Sequence, residues 1–216
     1  MNTQSMKKYK AVIFDLDNTI FPTKSITKEL AQPVWDAIRY SNDNYFSKQG
    51  INDVFSDCYC MPMREVALKH KFPQKMTDAV EIGFSKMAIE YPLTTYKDYP
   101  VLGTIAPEKL LVTSGNIHFQ NLKINKLNIR NDFKEIFIHD DGNPSHSGKT
   151  KLFESILKKY RLNNKEVLVI GDNIHSEICA GNSLGIKTMQ ILREGITKEY
   201  GATYYINDFS ELLDLL

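Results

Sequence analysis

Six short runs of β-branched, aliphatic and aromatic residues punctuate the chain: 10–14 (KAVIF), 110–113 (LLVT), 135–139 (EIFIH), 167–170 (VLVI), 187–191 (KTMQI) and 203–206 (TYYI). They are mostly continuous rather than alternating, which suits strands covered on both faces of a parallel sheet. Between the later runs the apolar spacing changes to a helical one, over 117–127, 149–160, 174–184 and a terminal 209–215. In the second of these, Leu152, Phe153, Ile156, Leu157 and Tyr160 share one helical stripe. Gly185 stands where a helix-ending glycine belongs. Strand alternating with helix predicts right-handed crossovers and an α/β fold with a doubly wound, Rossmann-like parallel sheet.

Residues 22–99 break this rhythm. Helical patterns run over 26–40, 63–70 and 77–89, with no convincing strand run among them. At roughly 150 residues per domain, a chain of 216 residues is one large domain or one domain with a smaller companion. The expected organisation is therefore a Rossmann-like core over 1–20 and 97–216, with an inserted α-helical cap over 21–96. Pro22 on one side, and Pro92, Tyr99 and Pro100 on the other, mark plausible hinges. Trp35 and Phe84 fall at helical spacing and read as the core of the insertion.

Composition narrows the partners. Lys plus Arg number 27 and Asp plus Glu 26, for a net charge of +1. That balance argues against nucleic-acid binding by bulk electrostatics, which needs a basic stripe. No apolar run approaches the ~18 residues of a membrane span, so no membrane partner is expected. The opening MNTQSMKKYK carries charge without the apolar stretch of a secretory signal. Three cysteines make no disulfide framework, and the Cys58/Cys60 pair has no second Cys/His pair to complete a zinc site. A reduced, cytoplasmic protein is the expectation, as a monomer or a homodimer.

Candidate chemistry gathers at the ends of the strand runs. Run 10–14 leads into Asp15-Leu16-Asp17-Asn18-Thr19. On extended backbone, residues two apart point to one side, so Asp15 and Asp17 would face together. Paired carboxylates repel unless a cation joins them; read alone, the pair is also a polar turn. Run 167–170 leads into Gly171-Asp172-Asn173, with Glu177 in the next helical turn. Ligands of open α/β sheets bind beyond the carboxyl ends of the strands, where Asp15, Asp17 and Asp172 would converge. Hard oxygen ligands with room for water suit Mg²⁺ rather than zinc. Asp172 also reads as a helix N-cap, a task Asn173 can take instead. Thr113-Ser114-Gly115-Asn116 opens a helix, giving either an anion site or an ordinary cap. Lys149 opens another, where the helix dipole disfavours a cation unless carboxylate or phosphate lies nearby. Lys151 competes for the same role, and run 138–146 reads as the loop leading there.

These residues, in this order, resemble the haloacid dehalogenase-like (HAD) superfamily. Its motifs are D-x-D-x-T, an apolar strand ending in Thr or Ser, a lone Lys, and G-D followed by an acidic residue. They read here as Asp15 to Thr19, Leu110 to Thr113, Lys149, and Gly171-Asp172 with Glu177. The helical insertion after the first strand matches the small cap of one HAD subgroup, and 60–65 (CMPMRE) looks like a substrate-facing cap loop. The resemblance implies that Asp15 is a nucleophile forming an aspartyl-phosphate, and that Asp17 is a general acid and then base. It implies Mg²⁺ held by Asp15, Asp172 and the backbone carbonyl of Asp17. Thr113, Ser114, Gly115 and Asn116 would hold phosphate oxygens, with Thr19 beside them. Lys149 would offset negative charge, while Asn173 and Glu177 support the metal and the lysine from behind. Arg64, or else Arg39, Lys69 or Lys86 of the cap, would meet the rest of the substrate.

True dehalogenases of the superfamily lack the second aspartate, so Asp17 points to a phosphatase. A cap over the site suits a small phosphorylated metabolite. The opening Asp15 to Pro22 (DLDNTIFP) resembles pyrimidine nucleotidases of the subgroup, which suggests a nucleoside monophosphate; sugar phosphates and phosphoglycolate are rivals. A phosphotransferase or mutase of the same fold stays open, as does a non-catalytic phospho-ligand-binding regulator.

Overall fold

A computed structural model describes residues 9–58, 63–140 and 148–216. Its centre is a six-stranded sheet of β1 (Ala11–Phe14), β2 (Glu108–Ser114), β3 (Glu135–His139), β4 (Val167–Gly171), β5 (Lys187–Ile191) and β6 (Tyr204–Ile206). The strand order is β3-β2-β1-β4-β5-β6 and every neighbour pair is parallel. All six strand runs of the sequence are therefore strands. The continuous apolar runs have the expected cause: β1 and β4 are buried along their full length, and separate hydrophobic clusters cover the two sheet faces.

The order reverses beside β1, with β2 on one side and β4 on the other. That switch point is where a doubly wound sheet opens a crevice for ligands. Phe14 anchors the end of β1 there, with edge contacts to Phe133 at 6.2 Å and Phe209 at 5.9 Å.

Between β1 and β2 the chain forms α1 (Gln32–Tyr40), α2 (Lys48–Cys58), α3 (Met63–Lys69) and α4 (Gln74–Ser85), preceded by two short 3₁₀ turns. No described residue of this insertion joins the sheet. Helix α1 lies against α4 closely enough that a Cβ on Gly83 would stand 2.9 Å from the Pro33 carbonyl. Trp35 is buried there against Phe55, as its spacing predicts. Helix α2 is absent from the sequence expectation. Its stripe of Ile51, Val54, Phe55 and Cys58 has helical spacing, but Gly50, Asn52 and Asp57 dilute it.

After β2 come α5 (Ile117–Lys126), α6 (Gly148–Tyr160) and α7 (Cys179–Ser183). The expected helix over 174–184 begins as a π-turn, Ile174–Ile178, before α7. The expected terminal helix is a 3₁₀ segment, Phe209–Asp214, opened by a capping box of Asp208 and Glu211.

The neck of the insertion is tied to the core. The Tyr96 N–H donates to the Ile20 carbonyl at 2.9 Å. Buried Arg193 donates to the Thr19 carbonyl and to Asp98 at 2.7 Å, with its guanidinium stacked between Tyr96 and Phe209. No described helix is long and apolar enough to cross a membrane.

Candidate active site

Asp15 follows β1 directly, and its N–H continues the ladder to the Ile170 carbonyl of β4 at 2.9 Å. The carboxylate of Asp15 is buried. Leu16 turns into the core with no exposed surface, and Asn18 at φ +54° reverses the chain behind Asp17. A left-handed residue is cheapest as Asn or Gly.

Lys149 opens α6 and is buried, its side chain 4% exposed. Its ammonium donates to Asp15 Oδ1 at 2.7 Å and to Glu177 Oε1 in a short contact. Lys151 is exposed, and it is Lys149 that reaches Asp15. Burial alone would lower the Lys149 ammonium, but Asp15 and Glu177 together hold it above its ordinary value.

Glu177 reaches the lysine because the chain starts its helix as a π-turn, a feature common at functional sites. Gly171 makes room for it, since a Cβ there would stand 2.8 Å from Glu177 Cγ. Asn173 caps the turn, its Oδ1 accepting from the His175 N–H at 2.8 Å. Capping thus falls to Asn173, and Asp172 is left for the site.

Carboxylate oxygens of Asp15, Asp172 and Glu177 lie within 4.8 Å of one another. One lysine is too little cation for three carboxylates. Burial, then repulsion from Glu177, push Asp15 well above its ordinary range despite the pull of Lys149. The same two causes push Asp172 up to about 7. Glu177 Oε2 is buried with no hydrogen-bond partner among the described residues. An overloaded acidic cluster with an unsatisfied oxygen is the electrostatic setting a divalent cation relieves.

That excess charge sets a pH dependence. A carboxyl raised in the folded state favours folding while it is protonated. Asp172 therefore contributes stability at low pH that is lost as pH rises through about 7. Metal-free protein should melt a few degrees lower at pH 8 than at pH 5.5. Saturating Mg²⁺ should raise the midpoint more at pH 8, because cation replaces proton. Thermal melts at both pH values check this; an equal Mg²⁺ shift at both would contradict it.

Asp17 lies differently from the expectation. Its carboxylate is not turned to the acidic cluster but held by Lys123 of α5, with both oxygens at 2.6 Å, and by Gln120 Nε2 at 3.1 Å. Asp15 and Asp17 each have their own lysine, from different helices. The acidic group within reach of one ion thus contains Glu177 in place of the Asp17 carboxylate. Neither Lys123 nor Gln120 stands out in the sequence. The one available signal was Gln120 on the apolar stripe with Ile124 and Leu127.

The β2 end is assembled as follows. Thr113 is buried and its hydroxyl has no partner among the described residues. Ser114 is half-buried, and its carbonyl accepts from Gln120. Gly115 is at φ +133°, and a Cβ would clash with Gln120 Nε2 at 2.8 Å. The Gly115 N–H already donates to the His139 carbonyl at 3.0 Å, so it is not a spare phosphate donor as expected. Asn116 caps α5 through the Phe119 N–H and donates to Glu81 of α4 at 2.8 Å, joining core to insertion.

Thr19 has no exposed surface and its carbonyl is clamped by Arg193, while its buried hydroxyl, like that of Thr113, has no partner among the described residues. Arg64 sits in the first turn of α3, half-buried, without an ion pair to a described residue. Of the expected cap loop 60–65, residues 63–65 begin helix α3 and 60–62 lie outside the described residues, as do 141–147 of the loop before Lys149.

A family model for haloacid dehalogenase-like hydrolases matches residues 12–191. The chain belongs to this family. The HAD match runs from β1 through β5 and contains every residue of the acidic cluster. A HAD phosphatase from Thermococcus onnurineus shares the fold at TM-score 0.67, with 21% identity, covering 95% of this chain and 97% of that one. YfnB of Bacillus subtilis, described as a HAD-hydrolase bound to magnesium, aligns at TM-score 0.58 with 16% identity over 97% and 99% of the two chains. A glyceraldehyde 3-phosphate phosphatase from Pyrococcus furiosus is 28% identical over 112 residues, 49% of this chain and 46% of that protein. The chain thus matches about half the length of that curated relative.

Proposed function

We propose that this HAD chain is a Mg²⁺-dependent phosphomonoester hydrolase of a small phosphorylated metabolite, acting through an aspartyl-phosphate. The observation that carries the reading is buried Lys149 joining Asp15 to Glu177, with Asp172 close by, at the switch point of the sheet. Phosphatases among the family's relatives and fold neighbours support it, as does magnesium in YfnB.

Asp15, Asp172 and the backbone carbonyl of Asp17 would hold Mg²⁺, with Glu177 supporting Lys149. Bound there, the ion supplies charge neutralisation between nucleophile and phosphoryl oxygens. Lys149 takes Asp15 Oδ1 and leaves Oδ2 for the attack on phosphorus. The bond from phosphorus to the leaving oxygen breaks, and that oxygen takes its electron pair and a proton from Asp17, which enters the step protonated and leaves it as the carboxylate paired with Lys123. Water then attacks phosphorus and gives its proton back to Asp17. The bond to Asp15 breaks, and inorganic phosphate leaves. The Thr113 hydroxyl, buried without a partner among the described residues, has the place and chemistry to donate to a phosphoryl oxygen. The inserted helices form the cap, over 21–96, with Arg64 directed at the non-phosphoryl part. Nucleoside monophosphates and sugar phosphates are the substrate classes to try first.

The test is release of inorganic phosphate from p-nitrophenyl phosphate, nucleoside monophosphates, sugar phosphates and phosphoglycolate, with Mg²⁺ and with EDTA. Mg²⁺-dependent release from at least one supports the reading. Silence on all of them would move the protein to a phospho-ligand-binding role.

A further inference from the structure

The Asp17 carboxylate rests on a scaffold that the motif residues do not explain. Lys123 lies in the middle of α5 and is buried, its side chain 3% exposed. A buried ammonium has lost its hydration and needs a partner to compensate it. Among the described residues its only carboxylate partner is Asp17, which it meets through both oxygens. Phe119 lies 4.9 Å and Phe21 6.0 Å from the same ammonium, closing it off from water on those sides.

Gln120 completes the arrangement. It stands three positions before Lys123, on the same helix face. Its amide nitrogen has two protons and uses both, one on the Ser114 carbonyl and one on Asp17. Helix α5 therefore links the β2 end, where Thr113 and Ser114 lie, to the Asp17 carboxylate. An aspartate at a loop has a choice of staggered rotamers, and the Asp17 side chain is 26% exposed, which would leave it free to choose. Three hydrogen bonds from α5 hold one of them.

We propose that Lys123, assisted by Gln120, is a positioning residue that fixes the Asp17 carboxylate for both proton transfers of the reaction. The inference rests on the phosphatase reading above. Lys123 touches neither substrate nor nucleophile; it acts through Asp17. Its work is needed wherever Asp17 must give a proton to the leaving oxygen or take one from water. It is not needed for attack by Asp15 on a substrate whose leaving group departs without a proton.

That distinction supplies the test. Lys123→Met keeps the length of the side chain and removes the ammonium. On glycerol phosphate, a poor leaving group, kcat should fall roughly ten- to hundredfold. KM should stay within about twofold, because a transition-state interaction is lost rather than uniform binding. On p-nitrophenyl phosphate, stopped flow should show a burst of about one equivalent of p-nitrophenolate near the wild-type rate, followed by slow turnover. A burst arises because the second step still needs Asp17 to activate water. An unchanged Mg²⁺-induced melting shift would show that the rest of the site is assembled. If Lys123→Met does not fold, Gln120→Leu should show the same selective pattern with a smaller loss. Equal losses on both substrates without a burst, or no loss on glycerol phosphate, overturn the proposal. Absence of turnover by the wild type overturns the phosphatase reading itself, so the two failures are distinct.

Discussion

Asp15→Asn should abolish turnover, by at least about a thousandfold in kcat, because an amide cannot open a covalent route through phosphorus. The fold should be retained. Asparagine has the same shape, and the backbone ladder from residue 15 to Ile170 does not involve the side chain. The expected stability change is informative in sign. Asp15 sits among Glu177, Asp172 and Asp17, all of which raise its pKa, against Lys149 alone. Removing one negative charge relieves that repulsion, so the metal-free variant should melt no lower than wild type at pH 8. Lys149 keeps Glu177 as partner in the variant. Turnover of p-nitrophenyl phosphate, mass spectrometry for the phosphorylated enzyme and a thermal melt check the three parts. Wild-type turnover by Asp15→Asn would remove the nucleophile assignment.

Lys149→Met should be damaging in both activity and stability. It deletes the cation common to two buried carboxylates and leaves both unpaired. Breaking one side of a buried ion pair costs about 3–5 kcal/mol, which for a chain of this size corresponds to roughly 10 °C in melting midpoint. The loss has a pH sign. Asp15 and Asp172 are raised toward protonation, so the deficit should shrink at pH 5.5 and grow at pH 8. Mg²⁺ should recover part of the stability by supplying cation to the same carboxylates. It should not recover the rate, since the ammonium that orients Asp15 Oδ1 is gone; about a hundredfold or more should be lost. Calorimetry at the two pH values, with and without Mg²⁺, checks the prediction. A variant as stable as wild type at pH 8 without metal would show that Lys149 is not the counter-ion of the cluster.

The strands were legible because burial on both faces writes itself into composition. A run such as Val167–Ile170 has few other homes than a covered parallel strand. The motif residues were legible because each stands at the end of such a run. Helix α2 escaped because only Val54 of its eleven residues is buried, so its apolar stripe is faint. The π-turn at Ile174–Ile178 has a helical pattern in sequence, and its extra residue shows only in the hydrogen bonds. The surroundings of Thr19 are equally invisible locally, because Arg193 comes from the far end of the chain to clamp its carbonyl.

From its sequence alone this protein is determined as a parallel α/β core with a helical insertion and an acidic cluster at the strand ends. Local pattern suffices for that, since strand burial and strand-end position are properties of neighbouring residues. The tertiary structure alone decided which lysine serves which aspartate. Lys149 meets Asp15 across 134 positions and Lys123 meets Asp17 across 106, and each is brought there by the order of strands in the sheet. Read locally, a lysine in a helix is a solvated surface residue. Burial beside a carboxylate makes it part of a site, and burial is a property of the whole fold.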